Sequence, residues 1–299
     1  MKNYNIFSVA AAFLAAATSS IANESNLTLT LEAGIEFDDN VSVSVLDQNT
    51  EQSDEAAVFD FSAAYQLIKD ESSEIELGYD FYQSLYNDLD QFNLQIHTLS
   101  FTGSWVVDDL DPGLGYSFTK VRLDDDDLYD SHSLTPSVGF SGLESWYHQI
   151  SYTYMDKDFS VISDRDATQH SISADNYFLF MENKAHFSIG LRLEDEDAQL
   201  AEYDYQGTYL KFGVSMPVGA EDLKLKANYQ HYWRDYDSIT ASIGEERDDE
   251  QDSLSLELSK PFYENLQAKI AYEYTNTDSN LPSADAEENI FRLSLSSGF

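Results

Sequence analysis

Six histidines are the first residues to weigh for chemistry: His97, His132, His148, His170, His186 and His231. The segment "QHSIS" (169–173) sets His170 beside Ser171, the two side-chain types that a nucleophilic mechanism pairs. In an extended chain, neighbours point to opposite faces, so Ser171 cannot hand its proton to His170. His97, in "NLQIHTLS", shares parity with Asn93 and Gln95 and is expected in a polar network facing a barrel interior. The remaining histidines show no recurring spacing with carboxylates, so no catalytic residue is assigned and no enzyme is expected. The run Asp124, Asp125, Asp126 and Asp127, followed by Asp130, is the single candidate for calcium. It lacks the glycine turn and spaced ligands of an EF-hand loop, so a solvated acidic loop is the stronger expectation. The chain has no cysteine, which removes disulfides, thiolate metal sites and thiol chemistry. No cofactor is expected.

The elements that would position these residues begin after residue 22. The opening "MKNYNIFSVAAAFLAAATSSIAN" carries Lys2, an apolar run and then small residues, which reads as a signal peptide over 1–22. The remainder, 23–299, is expected to be one outer-membrane β-barrel. The formal net charge is −39, with 55 acidic residues against 16 Lys and Arg. A chain this acidic lacks the basic patches that a phosphate backbone needs, so nucleic acid is excluded as a partner. After the leader no apolar stretch approaches the ~18 residues of a membrane helix.

What repeats instead is alternation of apolar with polar or small residues, as in "LTLTLEAGIEF" (27–37), "EIELGYDFY" (74–82), "AHFSIGLRL" (185–193) and "LKLKANYQHYW" (223–233). Fourteen such strands are expected, near 25–37, 56–68, 74–85, 92–106, 114–122, 131–140, 146–155, 167–180, 185–193, 205–216, 223–234, 253–259, 266–274 and 289–299. The gaps between them alternate between short and generally longer. The seven longer gaps hold 35 of the 55 acids and only three bases, Lys157, Arg165 and Arg247. Short turns on one rim and long acidic loops on the other predict a closed, antiparallel, up-and-down transmembrane β-barrel of about fourteen strands in the outer membrane of a Gram-negative bacterium. No long loop is apolar enough to be expected inside the barrel.

A sheet can cross lipid only when closed on itself, so the last strand must pair with the first. Phe291, Leu293, Leu295 and Phe299 share one face of that last strand and resemble the C-terminal assembly signal of outer-membrane barrels. The expected partners are therefore outer-membrane lipid and the barrel-assembly machinery. Inward parity assigns a lumen lining of Glu32, Glu36, Asp60, Glu74, Glu76, Asp80, His97, Lys224, Lys226, Arg234, Glu257, Lys269, Glu273 and Arg292.

Beyond this pattern, "AGIEFDDNV" (33–41), "YQHYWRDYD" (229–237), the stretch 247–280 and the closing strand resemble the barrel domains of surface lipoprotein assembly modifiers and related TPR-linked barrels. Asp38, Asp39, Asn40, Ser279 and Asn280 carry much of the likeness. No TPR region is expected, because strands follow the leader almost directly. "LPSADAEEN" stands where the family has a tyrosine-containing stretch. Two functions follow as expectations: a porin-like channel passing small, preferentially cationic solutes, or, as the resemblance implies, an export and display factor for surface lipoproteins.

Overall fold

A computed structural model describes residues 26–143, 145–219 and 222–299. The signal-peptide segment 1–22 lies outside the described residues. Fourteen long strands form one closed antiparallel sheet: β1 (Leu27–Asp38), β4 (Asp54–Lys69), β5 (Ser73–Tyr86), β6 (Leu94–Trp105), β7 (Leu110–Leu123), β8 (Asp126–Leu143), β9 (Trp146–Phe159), β10 (Ala167–Phe180), β11 (Ala185–Ala198), β12 (Tyr205–Val218), β13 (Leu223–Thr240), β14 (Glu245–Tyr263), β15 (Leu266–Ser279) and β16 (Ala286–Gly298). Two two-residue strands, β2 (Ser42–Val43) and β3 (Gln48–Asn49), form a separate hairpin between β1 and β4.

Each long strand pairs with its neighbours in sequence, and β16 closes the circle onto β1, from Thr30↔Gly298 to Asp38↔Ile290. The closure runs to the last residue. Phe299 donates its N–H to the Leu29 carbonyl at 2.9 Å, and Leu29 donates back to the Phe299 carbonyl at 3.0 Å. Both backbone groups of the terminal aromatic are thereby satisfied, as a lipid setting demands.

Parity sorts the side chains. Ile35, Phe37, Leu77, Leu99, Leu134, Ile172, Leu191, Leu256, Ile270, Phe291 and Leu293 stand exposed on the outer wall, where lipid replaces water. Residues of the other parity, including Glu36, Gln169, Glu194 and Asp249, are buried against one another inside.

The strands run longer than alternation alone predicts. Leu223–Thr240 and Glu245–Tyr263 carry the sheet well past the expected ends at 234 and 253, and only Ala241–Gly244 connects them. Where a strand rises out of lipid both of its faces are wet, so polar residues take both parities and the period-two signal vanishes. Most of the acid expected in loops therefore lies on protruding sheet.

At the seam, Gly34 on β1 faces β16 with no room to spare. A Cβ there would come within 2.7 Å of the Leu293 carbonyl and 2.8 Å of Ser294 Cβ. Gly34→Val is expected to destabilise the closed barrel by about 1–3 kcal/mol through overpacking. The measurement is the temperature at which the folded, fast-migrating gel band is lost; an unchanged temperature would refute the seam contact.

Candidate functional site: a strapped and charge-lined lumen

The interior is built from strand parity, so its chemistry can be followed around the wall. On β1, β4 and β5 the inward positions supply eight carboxylates, Glu32, Glu36, Asp38, Asp54, Asp60, Glu74, Glu76 and Asp80, against a single base, Lys69, opposite Glu74. From β6 to β9 the wall is largely neutral, with cross-strand hydroxyl pairs Thr98–Thr119 at 3.1 Å, Ser117–Ser133 at 2.8 Å and Thr135–Thr153 at 2.9 Å. The inward positions of β12 and β13 supply four bases, Lys211, Lys224, Lys226 and Arg234, and no acid.

Charges that meet across strands pair. Arg292 forks onto Glu36 at 2.6 and 2.9 Å, and Lys269 bonds Glu32, which also accepts from Ser294 at 2.5 Å. Lys226 lies 3.3 Å from Glu257. Glu74 reaches Lys69 at 3.7 Å on the rim, while Glu76 and Glu273 keep inward parity.

Higher in the lumen, arginines and tyrosines of β9–β14 form a second assembly around a cavity of about 590 Å³. Glu194, 5% exposed, accepts hydroxyl bonds from Tyr205 at 2.8 Å and Tyr209 at 2.6 Å, together with a guanidinium bond from Arg192. Arg234 donates twice to Tyr209 Oη, at 2.6 and 2.9 Å, and lies 4.6 Å over both the Tyr205 and the Tyr232 rings. These cation–π contacts hold a guanidinium in a site where bulk water would otherwise have to solvate it. Lys157 closes the network onto Glu196 at 2.6 Å.

The roof of this cavity is the β2–β3 hairpin. It leaves the wall between β1 and β4, and its turn Ser44–Leu46 delivers Asp47 to two arginines on other parts of the rim. Arg165, between β9 and β10, bonds the Asp47 carboxylate and donates to the Val45 carbonyl at 2.8 Å. Arg247, on β14, reaches Asp47 Oδ1 at 2.9 Å while forking onto Asp249 at 2.8 and 2.9 Å. In the closed strand order, the connection that carries Arg165 is six strands from the connection that carries the hairpin one way and eight the other, close to the far side of the ring. The hairpin is therefore a strap across the mouth. At its root Asn49 donates to the Ser283 carbonyl at 3.0 Å, Ser42 donates to Glu288 at 2.8 Å, and Val41 is fully buried.

The strap folds inward although no long loop is apolar enough to be expected there. Polarity was a poor guide because the strap docks through ions rather than through apolar surface. The legible signal was the trio of bases in the acidic gaps, Lys157, Arg165 and Arg247, all of which turn inward to carboxylates.

One further expectation is corrected. His97 stands on the outer parity of β6, with its Nδ1 at 2.8 Å from the Tyr79 hydroxyl and Phe81 at 5.0 Å. Thr98 and Ile96 face the lumen in its place. The polar letters of "NLQIHTLS" misled because this strand inverts the usual pattern near its top. In the Asp124–Asp130 run, Asp124 and Asp125 form a tight left-handed turn, while Lys120 and Arg122 pair with Asp127 at 2.7 and 3.3 Å. Among the described residues no group of His, Asp and Glu is arranged to hold a metal.

The other histidines divide as parity dictates. His170 pairs with the Tyr152 hydroxyl at 2.5 Å while Ser171 is buried on the opposite face. His231 and Tyr229 share Asp252, at 2.8 and 2.5 Å, an outward constellation that within-strand spacing could not reveal because Asp252 comes from the next strand.

Residues 143–299, spanning β9 through β16, match the surface lipoprotein assembly modifier profile. The chain belongs to this family. The matched part of the chain contains the basic wall and the arginine–tyrosine assembly, whereas the acidic wall and the strap precede it. No curated protein matches it in sequence. Among solved structures it is similar to in-vitro folded OmpT, an outer membrane protein of Vibrio cholerae, at 11% identity and TM-score 0.55 over 94% of this chain and 100% of that one. It is also similar to an anion-selective porin from Comamonas acidovorans, at 8% identity and TM-score 0.51 over 91% and 98%. These likenesses show a shared fold, and with the family they place the chain in the Gram-negative outer membrane.

Burial pushes the Asp47 carboxyl up, but Arg247 and Arg165 outweigh it and hold the group below the ordinary aspartate value. Because the docked value lies below the free one, the clasp is complete above about pH 4 and weakens as pH falls through the depressed value. Asp47→Asn is expected to free the strap at neutral pH, raising hydrogen exchange over residues 42–49 about tenfold or more while exchange in the barrel strands is unchanged. Wild type should reproduce that pattern only in acid.

Proposed function

We propose that this barrel is an outer-membrane channel for small hydrophilic solutes, with a mouth that favours cations and a bore narrowed by the strap. The observation that supports this reading most is a lumen lined throughout with ionised and hydroxyl side chains and roofed by a hairpin fixed at Asp47. An aqueous interior is the setting in which so many charges stay ionised without prohibitive desolvation. The acid of the protruding strands raises the local cation concentration through its summed field. No reaction is assigned, because the Tyr229–His231–Asp252 group faces outward and no serine is bonded to it.

The family match favours a second reading, in which the barrel assists a surface lipoprotein across or onto the membrane. A strap clamped on the far rim leaves little room for a folded client, so this reading requires the clasp to release.

In planar bilayers the purified protein should give discrete, cation-preferring conductance steps, with selectivity weakening at high salt as exposed charge is screened. Asp47→Asn should raise the step size. Silent bilayers containing folded protein would refute the channel, and loss of one surface lipoprotein on gene deletion, with small-solute uptake unchanged, would favour the second reading.

A further inference from the structure

Arg165 and Arg247, which receive the tip of the strap, are held in place from outside it. Arg247, 5% exposed, forks onto Asp249 at 2.8 and 2.9 Å and lies 4.6 Å over the Tyr236 ring, while Arg165 lies 4.2 Å over the Tyr203 ring. The strap itself contributes the Val45 carbonyl and the Asp47 carboxylate. Lifting it therefore leaves both guanidiniums standing where they are.

What the pair then lacks is charge. Two guanidiniums face one remaining carboxylate, Asp249. Glu194 and Glu196 line the same cavity, but Arg192, Tyr205, Tyr209 and Lys157 already hold them. A buried guanidinium stripped of its counter-ion is costly, so the strap cannot simply swing away; its carboxylate has to be replaced. Asp47 meets the pair with one oxygen each, Oδ1 to Arg247 and Oδ2 to Arg165, a bridge that any single carboxylate can reproduce. Access is available from below. Asp47, both arginines, Tyr203 and Tyr236 all line the cavity of about 590 Å³ under the strap, so a solute in the lumen reaches the pair without crossing protein.

We propose that the Arg165–Arg247 pair is a binding site for the carboxylate of a small solute, that Asp47 occupies it as an internal surrogate, and that an incoming carboxylate displaces Asp47 and releases the strap. The tether gives Asp47 a high local concentration, so the exchange needs abundant solute. The acidic rim depresses anions at the mouth and Asp249 stands beside the pair, so a singly charged carboxylate is favoured over a dianion. The binding site stands independently of the channel reading, and the displacement read as current rests on it.

The test is calorimetric titration of the full chain, folded in detergent, with sodium acetate against sodium chloride at constant ionic strength. Asp47→Ala removes the surrogate and should bind acetate about tenfold or more tightly than wild type. Adding Arg165→Ala to that variant should abolish the gain. Arg165 has no other carboxylate partner among the described residues, so its removal orphans no charge. Heat-modifiable migration confirms folding of each variant. Equal affinity in wild type and Asp47→Ala, or tight binding that survives Arg165→Ala, overturns the site. In planar bilayers, replacing chloride by acetate should move the wild-type conductance step toward that of Asp47→Ala, with the same replacement on Asp47→Ala, whose strap is already free, as the baseline. A wild-type step that acetate never moves beyond this baseline overturns the displacement. If neither protein conducts, the channel reading falls, and the titration still decides the site.

Discussion

Closure of the backbone ladder is the constraint from which the rest descends. Lipid offers no donors or acceptors, so each strand must find two neighbours and the first must find the last. Once β16 is locked in register with β1, every side chain is committed to lipid or to lumen by its position alone, because a one-residue slip would turn the whole apolar set inward. Arg292 opposite Glu36 and Lys269 near Glu32 then serve two purposes. They satisfy charges that the closed wall would otherwise leave alone, and they brace the seam from within.

The strap obeys a different logic. Beyond Val41 at its root its apolar residues, Val43, Val45 and Leu46, are only half-buried, and its tip is held by one carboxylate between two guanidiniums. Such a contact is strong only while both partners remain and while water is kept away, so it is well placed to be all or nothing. The arginines are in turn fixed by Asp249 and by Tyr203 and Tyr236, which hold the receiving side in position.

Much of the fold could be read from the letters. Alternation gives fourteen strands, and parity puts Glu36, Arg234, Glu257, Lys269 and Arg292 where the structure has them interacting across strands. Three things were hidden, each for a physical reason. Above the membrane both faces of a strand are wet, so the upper ends of β13 and β14, within 235–252, looked like loop. His97 and Gln95 sit on the outer wall above the apolar band, where a polar residue is tolerated and parity inferred from polarity fails. The strap could not be seen as a plug because its docking partners lie far away in sequence, Arg165 some 118 residues and Arg247 some 200 residues from Asp47.

The pairing of Phe299 with Leu29 also imposes an order in time. Leu29 and Phe299 must meet before the outer edges of β1 and β16 are covered, so the ring cannot form until β16 has been exported. Until then a chain of alternating greasy residues waits with unpaired margins, the condition in which β proteins self-associate. Escort during that interval is therefore as much a requirement of this architecture as the lipid it eventually enters.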